Sequence, residues 1–245
     1  MTLADELLCV ADTKLVMGNW LAETVMNGRS LPDYAAMLGM CTTSFGQTRA
    51  LYQFLAPGYE AYSRLERGRD RDEICSMNLL DAPPRNWEDQ VLTIWLAERA
   101  TWTMMSGFLD HPDRRVAALA RKIGEEAYFH LKYASGWFRL LVEEDESRAA
   151  LEQVYDARLP LAADWFGPTD LEDPLHAAGE RAVTPEQLRT SFLVDVAVEL
   201  KSFGMVASAA LTPPSGDWRD DARRRGPLPE GLFEVIRFKD PALAH

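Results

Sequence analysis

Four histidines, His111, His130, His176 and His245, bound the metal chemistry open to this chain. A di-iron carboxylate centre in a helical bundle takes a Glu from each of two helices and a Glu-x-x-His from each of two others. The spacing matters because residues at i and i+3 project from one helix face and can reach the same metal pair. None of the four histidines satisfies it. The residues three positions earlier are Phe108, Ala127, Asp173 and Ala242, and Pro174 separates Asp173 from His176 in a stretch that reads as loop. The nearest approach is Glu126 with His130, at i and i+4, which reads as a polar pair satisfying itself on a partly buried face. Neither a Gly-x-Gly-x-x-Gly, nor a P-loop, nor a Gly-x-Ser-x-Gly occurs, so the phosphate-cradling and hydrolase motifs are missing. Cys9, Cys41 and Cys75 are an odd count without zinc or disulfide spacing. They read as reduced, buried thiols, and nothing marks one as an activated nucleophile.

Helical periodicity dominates the elements that must position these residues. The first helix is predicted from Leu3 to Met26 and stops at Asn27-Gly28; the second runs from Ser30-Leu31-Pro32-Asp33 to Pro57-Gly58. Residues 64–85 are polar and read as a loop with one short helix. Asn86 caps a third helix to about Leu109, and a fourth runs from about Asp113 to Val142 with His130 on its inner side. The acidic run from Glu143 to Glu146 ends it. A fifth helix fits Arg148 to about Trp165, interrupted by Pro160; residues 168–183 read as loop. Thr184-Pro185-Glu186-Gln187 is a capping box that opens a helix to about Ala210. No strand alternates convincingly with these helices, so the expectation is all-α. It is an elaborated bundle of four long antiparallel helices, about 3–210, with an extended tail, about 211–245, in one domain. Phe233, Val235, Ile236 and Phe238 are expected to dock as a short apolar segment of that tail.

Composition narrows the partners. Lys and Arg total 26 against 38 Asp and Glu, a net charge of −12, the reverse of a nucleic-acid binder or of a protein that adheres to anionic lipid. The start of the chain puts Asp5 and Glu6 where a signal peptide needs basic residues. The most apolar stretch, Ser191 to Ala210, carries Asp195, Glu199 and Lys201. A cytoplasmic protein with protein partners is the expectation. Trp95, Trp102 and Trp137 read as core or partner-facing packing, and Arg99, Arg114 and Arg115 as surface ion-pair partners.

Three segments carry a resemblance. They are Glu125-Glu-Ala-Tyr-Phe-His-Leu-Lys-Tyr-Ala-Ser-Gly-Trp137, Phe45-Gly-Gln-Thr-Arg49 and Asn78-Leu-Leu-Asp-Ala-Pro-Pro-Arg-Asn-Trp-Glu-Asp89. Together they resemble the ferritin-like subunits of the phenylacetyl-CoA epoxidases (ring 1,2-oxygenases), and among these most the non-catalytic structural subunit, PaaC. The resemblance implies a ferritin-like four-helix bundle with additional helices. It places six metal-ligand positions of the catalytic subunits at Thr13 on the first helix, Thr43 and Gly46 on the second, Glu98 on the third, and Ala127 and His130 on the fourth. Only Glu98 and His130 keep a competent ligand, as vestigial positions. The implied reading has no catalytic residue, metal or cofactor in this chain, and di-iron in a catalytic paralogue. This chain would support that paralogue in aromatic catabolism as a homodimer or hetero-oligomer. Phe166-Gly-Pro-Thr-Asp170 resembles the catalytic paralogue instead. The alternative is a divergent ferritin-like oxidase or oxygenase with a metal site rebuilt from Asp12, Glu98, Glu126 and His130. The Trp-rich third helix and the Pro-rich tail are the two expected docking surfaces.

Overall fold

The computed structural model describes residues 1–168, 172–206, 211 and 217–238; His245 and the end of the Phe166–Asp170 motif lie outside them. The fold is all-α apart from one two-residue hairpin, consistent with a ferritin-like helical bundle. The chain divides into two compact units, Met1–Pro83 with Asp217–His245, and Pro84–Gly216.

In the first unit, α1 (Leu3–Thr24) opens on a capping box. The Thr2 hydroxyl accepts the Asp5 N–H, and the Asp5 carboxylate accepts the Thr2 N–H. After a short 3-10 turn, α2 (Leu31–Leu55) starts at the Ser30 cap with Pro32 in its first turn, as predicted. The two helices run antiparallel. The Cys41 thiol donates to Gly18 O at 3.4 Å and the Thr48 hydroxyl to Ala11 O at 3.2 Å, while the Tyr52 hydroxyl reaches Asp12. Residues 64–85 form a π turn at Arg64–Gly68 and a 3-10 turn at Asn78–Leu80.

The tail is not wholly extended. β1 (Trp218–Arg219) pairs antiparallel with β2 (Arg224–Arg225), and α8 (Glu230–Phe238) follows and packs on α1. Leu232 is buried, with Phe233, Val235 and Ile236 half-buried, so these members of the expected apolar segment dock on a helix; the Phe238 side chain lies outside what is described. Long-range ion pairs carry no local sequence signal, and here they fix the segment. Arg223 makes a two-pronged contact with the fully buried Glu6. Arg224 donates to Ser76 O at 2.9 Å and to both carboxylate oxygens of Asp81.

In the second unit, α3 (Trp87–Ser106) is capped by Asn86, whose side-chain oxygen accepts the Asp89 N–H at 2.9 Å. The second helix of this pair, α4 (Arg114–Leu141), is capped by Asp113. These two are also antiparallel: Trp87 meets Trp137 edge-on at 5.0 Å, and Glu98 meets His130. Gly124 on α4 faces Trp102 so closely that an added Cβ would lie 2.3 Å from the indole, so only glycine permits this approach. α5 (Asp145–Asp164) begins in the acidic run expected merely to end α4, because Asp145 and Glu146 suit the positive end of a helix. It continues through Pro160, which falls near its end. The expected loop holds a four-residue helix, α6 (Pro174–Ala177). α7 (Pro185–Ser202) starts on the predicted capping box and stops well before Ala210. Gly204, at φ 71°, closes it, with Met205 N–H donating to Leu200 O at 3.0 Å. The aromatic core of this unit links Trp95 to Phe138 at 5.1 Å, and Phe138 stacks on Phe203 at 5.4 Å.

Candidate functional site

The residues with chemical potential fall into separate buried polar clusters. In the second unit, His130 Nδ1 lies 2.7 Å from Glu98 Oε1, with the two residues 5% and 0% exposed. α3 supplies the carboxylate and α4 the imidazole. Ala127, three residues before His130, is also buried, so α4 turns both positions of that spacing inward and has a methyl at the first. Glu126, the i, i+4 neighbour, turns outward enough to bond Lys122 at 2.7 Å.

A second buried carboxylate, Asp89, sits at the start of α3. Arg158 from α5 grips it with two bonds at 2.8 and 3.1 Å, and Arg85 adds a third contact at 3.0 Å. Burial pushes the Asp89 carboxyl up, but these guanidiniums and the Arg85 N–H more than offset it and hold the carboxyl below its ordinary range. The arrangement is a helix-terminus clamp.

In the first unit, Asp12 is fully committed. It accepts from Arg69 at 2.7 and 2.6 Å, from the Tyr52 hydroxyl at 2.6 Å and from Cys75 N–H at 2.7 Å. Burial first, and then the Asp12 carboxylate, pushes the Tyr52 hydroxyl well above its ordinary range. Burial lowers the affinity of Arg69 for its proton, but Asp12 reverses that and holds the guanidinium charged. Thr13 is buried and acts structurally, donating to Cys9 O at 2.8 Å and accepting Met77 N–H at 3.1 Å. Together Asp12 and Thr13 pin residues 69–77 to α1. All three cysteines are buried and none forms a disulfide; burial pushes the Cys9 thiol up.

The carried-over positions on α2 need correction. Gly46 is exposed, with open space where a Cβ would stand, and Thr43 is only half-buried. The buried pair at the same i, i+3 spacing is Ser44 and Gln47. One residue of helix register is a rotation of about 100°, enough to move a position from the inner face to solvent. In either register α2 offers no Glu-x-x-His. Sequence reasoning also passed over Lys14, the neighbour of Thr13, which is fully buried; its helical spacing from Leu7, Val10 and Leu21 was the available signal.

The side chains do not fit a di-iron carboxylate centre. Ser44 and Gln47 stand on α2, Ala127 on α4 and Thr13 on α1, while Asp12 is saturated by Arg69, Tyr52 and Cys75. Among the described residues no group of three or more His, Cys, Asp or Glu is placed to hold a metal ion. The rebuilt site of the alternative reading also finds Glu126 paired with Lys122 and His130 bonded to Glu98.

Of the other expected positions, His111 accepts the Asp113 N–H, and His176 Nδ1 lies 3.1 Å from Arg181 O. Trp95 is fully buried, and with most of α3 it is core rather than a docking surface. Arg115 pairs with Asp113 on the surface, as expected, whereas Arg99 pairs with Glu199 with its side chain largely buried.

An all-α chain whose long antiparallel helices bury a Glu–His pair is consistent with a ferritin-like helical bundle. The chain belongs to the phenylacetic acid catabolic protein family, whose model matches residues 1–226 and so takes in the β1–β2 hairpin. It is similar to the C subunit of the 1,2-phenylacetyl-CoA epoxidase of Escherichia coli (strain K12). The two are 23% identical over 192 residues, 77% of each chain. No helix among the described residues is long and apolar enough to cross a membrane.

Proposed function

We propose that this chain is the structural, non-catalytic subunit of a multicomponent aryl-CoA oxygenase of the phenylacetyl-CoA epoxidase type. It holds a di-iron catalytic paralogue in a productive assembly and binds no metal of its own. One observation carries the reading: the buried methyl of Ala127 stands where a Glu-x-x-His pair needs its carboxylate, while His130 is bonded to Glu98. A methyl cannot coordinate iron, and the Glu98–His130 bond gives each of the two buried groups a polar partner within the helix pair. Membership in the family and the likeness to the C subunit of an epoxidase support the same direction. The remaining function then lies on the outer surface, in contacts with protein.

Reconstitution tests it. The family member of the same organism that carries both Glu-x-x-His pairs is purified with and without this chain, and oxygenation of phenylacetyl-CoA is measured with a reductase present. Turnover that depends on this chain, with every iron in the paralogue, supports the proposal. Equal turnover without the chain contradicts it.

A further inference from the structure

α4 differs from the rest of this acidic chain. It carries Arg114, Arg115, Arg121, Lys122, Lys132 and Arg139 against only Glu125 and Glu126, on a protein of net charge −12. Its outer side also displays large apolar groups. Phe129 is 69% exposed and Tyr128 and Leu140 are each 56% exposed, and the first two rings meet edge-on at 5.4 Å. Beside it, α7 exposes Val194 and Val198, one helical turn apart.

Between these two helices lies an open groove of about 290 Å³, lined by Tyr128, Leu131, Lys132, Gly136, Arg139 and Glu199 among others. Gly136 leaves open space at the groove. Glu199 is paired with Arg99 and accepts from the Ser135 hydroxyl. Among the described residues neither Lys132 nor Arg139 makes an ion pair; Lys132 only rests 5.4 Å from the Tyr128 ring. The outward positions Phe129, Lys132, Gly136 and Leu140 follow the three- and four-residue spacing of a helix seam.

We propose that this α4–α7 groove, together with the exposed face of α4 that adjoins it, receives an amphipathic helix of a protein partner, its apolar side seated on Tyr128 in the groove and on Phe129 and Leu140 beside it, and its flanking carboxylates paired with Lys132 and Arg139. The inference rests on the structural-subunit reading, under which the occupant belongs to the catalytic paralogue. Charge complementarity selects the occupant. Two copies of this chain meeting symmetrically on the same face would set Lys132 and Arg139 against themselves. A small phosphate-bearing ligand would find its cations splayed in solvent and a carboxylate in the groove. An aromatic and aliphatic centre with an Arg and Lys rim is the composition of a protein interface.

Complex formation between this chain and the paralogue bearing both Glu-x-x-His pairs is measured for the wild type, for Phe129→Ala, and for Lys132→Glu with Arg139→Glu. All three side chains are exposed, so the variants should fold with unchanged circular dichroism and Tm. Each variant is expected to bind at least about tenfold more weakly. Charge reversal should act mainly on association rate and salt dependence. Hydrogen exchange should slow across residues 128–140 in the wild-type complex. Wild-type binding that both variants retain in full overturns the groove and leaves the subunit reading standing. Protection of 128–140 in the isolated chain, rising with its concentration, makes the occupant a second copy and overturns the inference. A wild-type chain that binds no paralogue overturns both.

Discussion

Glu98→Ala separates a structural pair from a catalytic one. With the carboxylate ionised, His130 donates Nδ1–H to Glu98 over 2.7 Å, and both groups are out of solvent. Removing the carboxylate strands a buried ring N–H, which costs about 1–3 kcal/mol. The truncated side chain also leaves a small cavity, adding about 1 kcal/mol at ~24 cal/mol per Å³. The sum is about 2–4 kcal/mol. For a chain of this size each kcal/mol lowers Tm by about 2–4 °C, so a fall of roughly 5–15 °C is expected. Glu98→Gln keeps an acceptor in the same shape and should lose about 1 kcal/mol or less. Thermal and urea unfolding followed by far-UV circular dichroism measure the loss. Turnover of the reconstituted complex, per folded complex and well below Tm, should be unchanged. A stability loss under about 0.5 kcal/mol would refute the buried-pair argument. Oxygenation lost in a fully folded complex would refute the structural role.

Three further outcomes follow from the same structure. Arg158→Met should cost about 3–5 kcal/mol at neutral pH, because it leaves the Asp89 carboxylate buried without the buried guanidinium, held by the exposed Arg85 and the Thr93 hydroxyl. In the wild type the depressed Asp89 pKa contributes stability above the unfolded carboxylate range, lost as pH falls through the folded value; in the variant burial dominates and raises that pKa. The gap between variant and wild type should therefore narrow between neutral pH and about pH 5, and urea midpoints at both pH values check this. Gly124→Ala should destabilise by about 1–3 kcal/mol, since the new methyl meets the Trp102 indole at 2.3 Å; thermal unfolding reads it, and near-wild-type stability would show the α3–α4 approach to be looser. Arg223→Met should leave Glu6 as a buried carboxylate without its guanidinium and speed proteolysis of residues 217–238 before any global unfolding.

The helices were legible because their ends are written locally. Ser30 with Pro32, Asn86, Asp113 and Thr184 with Gln187 each cap the helix they announce. The stop of α7 at Gly204 was obscured by the apolar run that continues beyond it. The fold of the tail was hidden for another reason. Arg223 finds Glu6 and Arg224 finds Asp81 across most of the chain length, and such pairings leave no mark on neighbouring residues. The same holds for Asp12 with Arg69 and Asp89 with Arg158, which look like ordinary surface charges in sequence. Of the site, Glu98 and His130, carried over only as vestigial positions, form a buried, hydrogen-bonded pair on α3 and α4. The α2 positions were placed by resemblance alone, and the structure buries Ser44 and Gln47, one residue along from Thr43 and Gly46.

The most direct measurement is the iron content of this chain after purification together with its paralogue and separation of the two. The account predicts no stoichiometric iron here and the metal entirely in the paralogue. About two irons per chain in this protein would contradict it.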